Sequence, residues 1–230
     1  MTTRDTAALL IVDMQNDFLA KDGYYDEKAK RVHATRGTLS ATDRHALARV
    51  YLHPPPRCEI SDSYQDFVRT VTEVAATALD RGMTTVFVQA AYDPESCYRP
   101  PFFLRDPQPK DYGCHPGSWG ADFVEPVKPL ASHACAKIVE KHTFDAFFET
   151  ELCGFLRFKQ IDTVYLAGVE TNACVLFTAC SALSNGFTTI IVAECVTTSR
   201  MDVHEAALQI IEIAQGRVIS THDFLTLLER

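Results

Sequence analysis

Long apolar runs are missing from this sequence. The run AALLIV near the start ends in the acidic Asp13, well short of the roughly 20 residues a spanning helix needs and too short for a secretory core with its cleavage site. The expectation is a cytoplasmic protein with no membrane partner. A surplus of positive charge is missing too: 22 Lys and Arg face 30 Asp and Glu, a formal net charge of −8 with a pI near 5.4. Phosphate backbones are held by clustered cations, so nucleic acid is not the expected partner. Cysteine is plentiful, at eight residues, but no C-x-x-C pair occurs, which removes a dithiol redox centre. Several of the thiols, Cys153, Cys174, Cys180 and Cys195, sit inside apolar or helical stretches, as reduced and packed residues do. Internal repeats and low-complexity tracts are absent, and the length suits a single domain over residues 1–230.

What is present is an alternation of short β-forming runs with longer amphipathic stretches, the pattern of βα units in a parallel sheet covered on both faces. Strands are predicted at 7–13, 84–90, 137–141, 163–168, 188–194 and 217–220. Helices are predicted at 64–80, 147–158, 172–185, 203–215 and 223–229. In the first helix Phe67, Val71, Val74, Ala75, Ala78 and Leu79 recur at helical spacing, and Gly82 supplies a stop. Segment 163–168, TVYLAG, is apolar on both faces and reads as a central strand. The predicted fold class is therefore α/β, a three-layer α/β/α sandwich with a six-stranded, mostly parallel sheet. Two segments break the rhythm: 21–61, charged and then interrupted by Pro54, Pro55 and Pro56, and 92–129, proline-rich with scattered aromatics. Loops this long in a compact domain serve as functional covers or are poorly ordered insertions.

Ligands of open parallel sheets bind beyond the carboxyl ends of the strands. Three reactive side chains meet that condition. Asp13 ends the first strand, Lys141 ends KIVEK, and Cys174 lies in GVETNACV just after the central strand, where a helix begins. Taken singly, each has an ordinary reading as a turn or cap residue, a solvated lysine or a packed thiol. Taken together, they supply a nucleophile with its base. A helix N-terminus lowers a thiol pKa, so Cys174 is expected as a thiolate, and the same N–H groups can hold an oxyanion. Asp13 would take the thiol proton and return it to a leaving amine, with Lys141 keeping that carboxylate ionised and oriented.

Three motifs carry a resemblance: ALLIVDMQNDFL from Ala8, KHTFDAFF at Lys141–Phe148, and AGVETNACV at Ala167–Val175. In this order they resemble the isochorismatase-like cysteine hydrolases, a group that includes nicotinamidases, N-carbamoylsarcosine amidase, ureidoacrylate amidohydrolase and biuret hydrolase. The likeness covers roughly residues 7–17 and 80–215. It implies a six-stranded sheet of Rossmann-like topology, a triad of Asp13, Lys141 and Cys174, and a cis peptide between Val169 and Glu170. It also implies an oxyanion hole built from the backbone N–H groups of Glu170 and Cys174. The implied activity is hydrolysis of a C–N bond in a small amide, ureido or carbamoyl substrate through a thioester. No cofactor is implied, and relatives assemble as homodimers or homotetramers. Two other readings stay open, a catalytically silent protein that keeps the fold for binding or assembly, and a hydrolase of another small substrate such as a vinyl ether. The true isochorismatases, which cleave a vinyl ether, lack the nucleophilic cysteine.

The sequence also departs from parts of the group. Its nicotinamidases carry Asp-x-His and a further His after the second strand to hold a metal, whereas VQAAYDPES at 88–96 has no histidine. This argues against a zinc site and against nicotinamide as substrate. Cys97, Cys114 and His115 in the long loop are of metal-binding type, but only the adjacent Cys114 and His115 form a close pair. Segment 21–61 is similar to that of the ureidoacrylate and biuret type. Gln15, Phe18, Tyr92, Trp119 and Phe144 flank the motifs or lie on the covering loop, which makes them the substrate-facing candidates. Glu170 either caps the following helix or faces the substrate.

Overall fold

A computed structural model describes residues 5–24, 61–93, 113–198 and 201–229. Most of the two covering segments expected at 21–61 and 92–129, Cys97 included, lies outside the described residues. At the centre is strand β1 (Ala7–Val12), every residue of which is buried. A strand apolar at both parities must be covered on both faces. Ala7, Leu9 and Ile11 enter one core, while Ala8, Leu10 and Val12 enter another.

The other strands are β2 (Thr84–Ala90), β3 (Ala136–Lys141), β4 (Thr163–Val169), β5 (Thr188–Thr197) and β6 (Arg217–Ile219). Their order across the sheet is β3-β2-β1-β4-β5-β6. Every neighbouring pair is parallel, so the sheet predicted as mostly parallel is parallel throughout. The chain runs outward from β1 to β3, returns to the centre at β4 and then runs to the opposite edge. The carboxyl ends of β1 and β4 therefore diverge into a crevice, the place where ligands of such sheets bind.

The helices are α1 (Asn16–Leu19), α2 (Ser61–Asp80), α3 (Lys128–Ala131), α4 (Leu152–Phe158), α5 (Leu176–Ser184), α6 (Met201–Ile213) and α7 (Thr221–Leu228). Helix α2 lays Phe67, Val71, Val74, Ala75 and Ala78 on the first core, beside Phe224 and Leu228 of α7. The second core is closed by Leu152 and Leu156 of α4, Ala179 and Ala182 of α5, and Ile211 of α6. These two helical layers complete the three-layer sandwich. Helix α2 ends where Gly82 turns to φ +73. The Gly82 N–H donates to Leu79 O at 2.9 Å and the Met83 N–H to Ala78 O at 2.9 Å, which satisfies the last carbonyls.

Three elements differ from expectation. The helix predicted from residue 147 begins only at Leu152. Ahead of it, polar side chains compete with the backbone ladder: Asp145 accepts from the Phe147 N–H at 2.8 Å, and Thr150 accepts from the Leu152 N–H at 3.2 Å. Strand β5 continues past Glu194 to Thr197, with a register shift against β4 between Leu166 and Gly168. Between β4 and α5 the chain makes one π-helical turn at Thr171–Val175 instead of entering an α-helix directly.

Gly168 marks the close approach of β1 and β4. Its φ is +116, and a Cβ there would stand 1.9 Å from Val12 O, a backbone atom that cannot swing aside. Gly168→Ala is expected to lower stability by about 2–4 kcal/mol, from strain and overpacking together. Urea denaturation of the variant against the parent checks this.

Candidate active site

The three predicted residues converge. Asp13 follows β1 in a left-handed conformation, φ 53, which aspartate tolerates better than most residues, and its N–H donates to Val88 O at 3.0 Å. Lys141 is the last residue of β3, paired with Ala90 of β2. Cys174 lies in the π-turn after β4. Asp13 and Lys141 are fully buried, and Cys174 keeps 4% of its surface.

An ammonium group has three protons to place. Lys141 Nζ stands 2.8 Å from Asp13 Oδ2, 3.0 Å from Thr143 O and 3.3 Å from Cys174 Sγ. All three protons thus have a partner, and the ring of Tyr92 lies 5.6 Å from Nζ on a further side. Besides Lys141, the Cys174 thiol and the Ala90 backbone N–H lie within reach of the buried Asp13 carboxylate and favour its charged form.

Burial pushes the Cys174 thiol up to about 12, and the Asp13 charge adds to that, while Lys141 opposes it. The shift runs against the expected thiolate, because desolvation by burial favours the neutral thiol. Burial also raises the Asp13 carboxyl, with the Lys141 cation pulling the other way. For Lys141, burial favours the neutral amine, but Asp13 and Cys174 outweigh it and hold the amine above its ordinary value. The cluster therefore contains one fixed cation and one proton to be divided between an acid and a thiol.

The turn after β4 has the cis peptide between Val169 and Glu170 that the motif implied. The Glu170 carbonyl accepts from the N–H groups of Ala173 at 3.0 Å and Val175 at 3.2 Å, skipping that of Cys174. The Glu170 side chain forms no helix cap. Its carboxylate meets the hydroxyl of Thr198, just past β5, and the same hydroxyl lies 2.5 Å from Asn172 Oδ1.

The substrate-facing candidates separate. Tyr92 is in the cluster, with its hydroxyl 4.0 Å from Cys174 Sγ. Gln15 is bonded to backbone: its Nε2 donates to Ala90 O at 2.9 Å and Ala121 O at 2.7 Å, and its Oε1 accepts from the Ala90 N–H at 2.8 Å. Those bonds occupy the amide and stitch β1 to β2 and to the loop at 113–124. Phe18 packs in the first core. Trp119 is 55% exposed and lines a cavity of about 790 Å³ against Tyr64, Val68 and Arg69 of α2, a cavity that none of the triad residues touches. Phe144 is partly buried on the second core, its ring 5.7 Å from that of Phe177.

Sequence reasoning passed over Asn16 and Asp17. Asn16 Nδ2 donates to Trp119 O at 2.8 Å, and the Asp17 carboxylate accepts from the N–H groups of Tyr24 at 2.8 Å and Cys114 at 2.5 Å. Consecutive polar residues straight after an apolar strand were the available signal, because buried polar groups must find partners. Cys114 is buried, and burial pushes its thiol up, with Asp13 and Asp17 adding to the effect. Among the described residues, no three His, Cys, Asp or Glu side chains are grouped so that they could hold a metal ion.

Lys141→Met is expected to cost about 3–5 kcal/mol at neutral pH, by leaving the Asp13 carboxylate buried without its cation. The unpaired carboxyl's folded pKa rises further above its unfolded value, so the variant loses stability as pH rises and regains it as Asp13 is protonated. Denaturation curves at neutral and acid pH should show the deficit against the parent narrowing on acidification.

Comparisons with known proteins place this geometry among relatives. A family profile described as Isochorismatase domain matches residues 55–223. The maleamate amidohydrolase of Pseudomonas putida is 39% identical over 103 residues, 45% of this chain and 47% of that protein, so the match spans about half of that relative's length. The ureidoacrylate amidohydrolase of Cronobacter turicensis is 24% identical over 196 residues, 80% of this chain and 69% of that protein. Among solved structures, a cysteine hydrolase from Pseudomonas syringae superposes with a TM-score of 0.74 over 98% of this chain and 93% of its own, at 17% identity, which is a likeness of fold.

Proposed function

The chain belongs to the isochorismatase family, and from that premise we propose that it is a cysteine hydrolase cleaving the C–N bond of a small amide, ureido or carbamoyl substrate. The observation that carries this reading is the placing of one ammonium within 3.3 Å of both a carboxylate and a thiol, in a buried site at the carboxyl edge of the sheet. Two relatives named as amidohydrolases support the bond class.

In the proposed reaction Asp13 takes the Cys174 proton as the sulfur attacks the carbonyl carbon. Net charge in the cluster is unchanged by that transfer. The Lys141 N–H already directed at the sulfur stabilises the thiolate as it forms. The Glu170 and Cys174 N–H groups hold the tetrahedral oxyanion, each such donor being worth about 2.7–4 kcal/mol of barrier. Collapse breaks the C–N bond, and the leaving amine takes the proton from Asp13. A water then gives a proton to Asp13 and attacks the thioester. The carboxylic acid leaves as sulfur recovers its proton. Lys141 gives up no proton in this scheme; its part is to stay charged.

An ammonia-release screen over simple amides, carbamoyl amino acids and ureides tests the reading. With a substrate in hand, Cys174→Ala is expected to lower kcat by about 10³-fold or more while the melting temperature holds. Retention of more than a few per cent of activity would remove Cys174 from the nucleophile's role. Protonation of Asp13 in the free enzyme abolishes the base, so kcat/KM should fall on the acid side with a midpoint above the ordinary carboxylate range, because burial raises Asp13.

A further inference from the structure

Tyr92 has no part in the reaction as written, yet it touches two of its three groups. Its hydroxyl oxygen lies 4.0 Å from Cys174 Sγ, and Lys141 Nζ stands 5.6 Å from its ring centroid. The residue is 2% exposed. Its backbone is fixed from three directions. Gln15 brackets Ala90 with bonds of 2.8 and 2.9 Å, the Ala91 N–H donates to Lys141 O at 2.9 Å, and the Tyr92 N–H donates to Cys114 O at 2.9 Å. The His142 ring adds a contact from Nδ1 to Ala91 O at 2.8 Å. The motif after β1, the end of β3 and the loop at 113–124 thus all set where this aromatic ring stands.

We propose that Tyr92 is a fourth member of the reacting cluster: its ring keeps the Lys141 ammonium in place, and its hydroxyl donates to the Cys174 sulfur once the thiol proton has moved to Asp13. The inference rests on the reading of Cys174 as nucleophile. At rest the sulfur carries its own proton, and 4.0 Å is a loose O–H···S contact. A thiolate is a far better acceptor, so the contact shortens as charge appears. Tyr92 keeps its proton throughout, and the only proton that changes owner is the one passed from sulfur to Asp13. An interaction made in the charged state and not in the resting state lowers the barrier without tightening substrate binding. The ring acts in both states, since a desolvated ammonium beside an aromatic face is held by the ring quadrupole.

The test reads the sulfur directly. Alkylation of Cys174 by iodoacetamide, without substrate, is followed by mass spectrometry of the Cys174 peptide across pH. Tyr92→Phe keeps the ring and removes the hydroxyl. It is expected to slow Cys174 alkylation about tenfold at neutral pH and to move the pH–rate profile upward, as loss of one hydrogen bond to a charged group does. In turnover, kcat should fall by a similar factor with KM unchanged, and Tyr92→Leu should lose more than Tyr92→Phe. Parental alkylation in Tyr92→Phe overturns the proposal. So does a variant whose KM rises while alkylation is unaltered, which would make Tyr92 a substrate contact. Should Tyr92→Phe fold poorly, 3-fluorotyrosine installed at position 92 keeps a more acidic hydroxyl: faster alkylation at neutral pH supports the proposal, and an unchanged rate overturns it. If Cys174→Ala retains parental turnover, the nucleophile reading fails along with this one; if Cys174→Ala loses turnover while Tyr92→Phe is alkylated at the parental rate, Tyr92 alone is removed.

Discussion

The ion pair between Lys141 and Asp13 is the contact on which the rest of this edge depends. Lys141 belongs to β3 and Asp13 follows β1, so the pair must cross the end of β2, two strand spacings or about 10 Å. At that crossing β2 ends in Ala90 and its successor is Ala91, each with only a methyl side chain. Removing two charges from water costs several kcal/mol per ion, and a buried pair survives only when its remaining hydrogen-bonding capacity is met. Lys141 meets that condition through Asp13, the Thr143 carbonyl and the Cys174 sulfur. The cation that satisfies the carboxylate is thereby also aimed at the thiol.

That arrangement bears on the role proposed for Cys174. A helix N-terminus alone would favour a standing thiolate, whereas burial of the sulfur favours the neutral thiol. In the proposed reaction the proton moves from Cys174 to Asp13 at constant net charge, with the Lys141 cation already directed at the sulfur. The polar residues after β1 keep the geometry rigid. Gln15 fixes β2 and the 113–124 loop, while Asn16 and Asp17 hold the same loop at Trp119 and Cys114. Gly168 lets β4 come close enough to β1 for the turn bearing Glu170 and Cys174 to face Asp13.

Much of this was legible in the sequence because the central strands are covered on both faces. AALLIV and TVYLAG are apolar at both parities, and a reactive residue at the end of such a run has few places to be other than the sheet's carboxyl edge. Hence Asp13 and Cys174 could be placed at that edge, whereas Lys141, which ends the partly exposed edge strand β3, was legible from its place at a strand end and from its motif. Side-chain direction was less so: Gln15 sits beside Asp13 in sequence but turns to the backbone of Ala90 and Ala121, and Phe18 turns into the core. Trp119 falls in the covering loop yet opens on a cavity beside α2, since position along a loop says little about the face presented. The late start of α4 reflects side-chain bonds from Asp145 and Thr150 that compete with helix formation. The upward pull on the Cys174 pKa was beyond sequence reasoning because it comes from burial, which is a property of the assembled cluster.

The central claim is that the Cys174 sulfur, fed by Asp13 and held by Lys141, forms a covalent bond to the acyl carbon during turnover. Rapid acid quench of enzyme turning over an accepted amide, followed by digestion and mass spectrometry, addresses it without any substitution. The account predicts an acyl mass on the Cys174 peptide that appears before free acid accumulates and disappears when substrate is exhausted. Acid formed at full rate with the acyl group on another residue would contradict it.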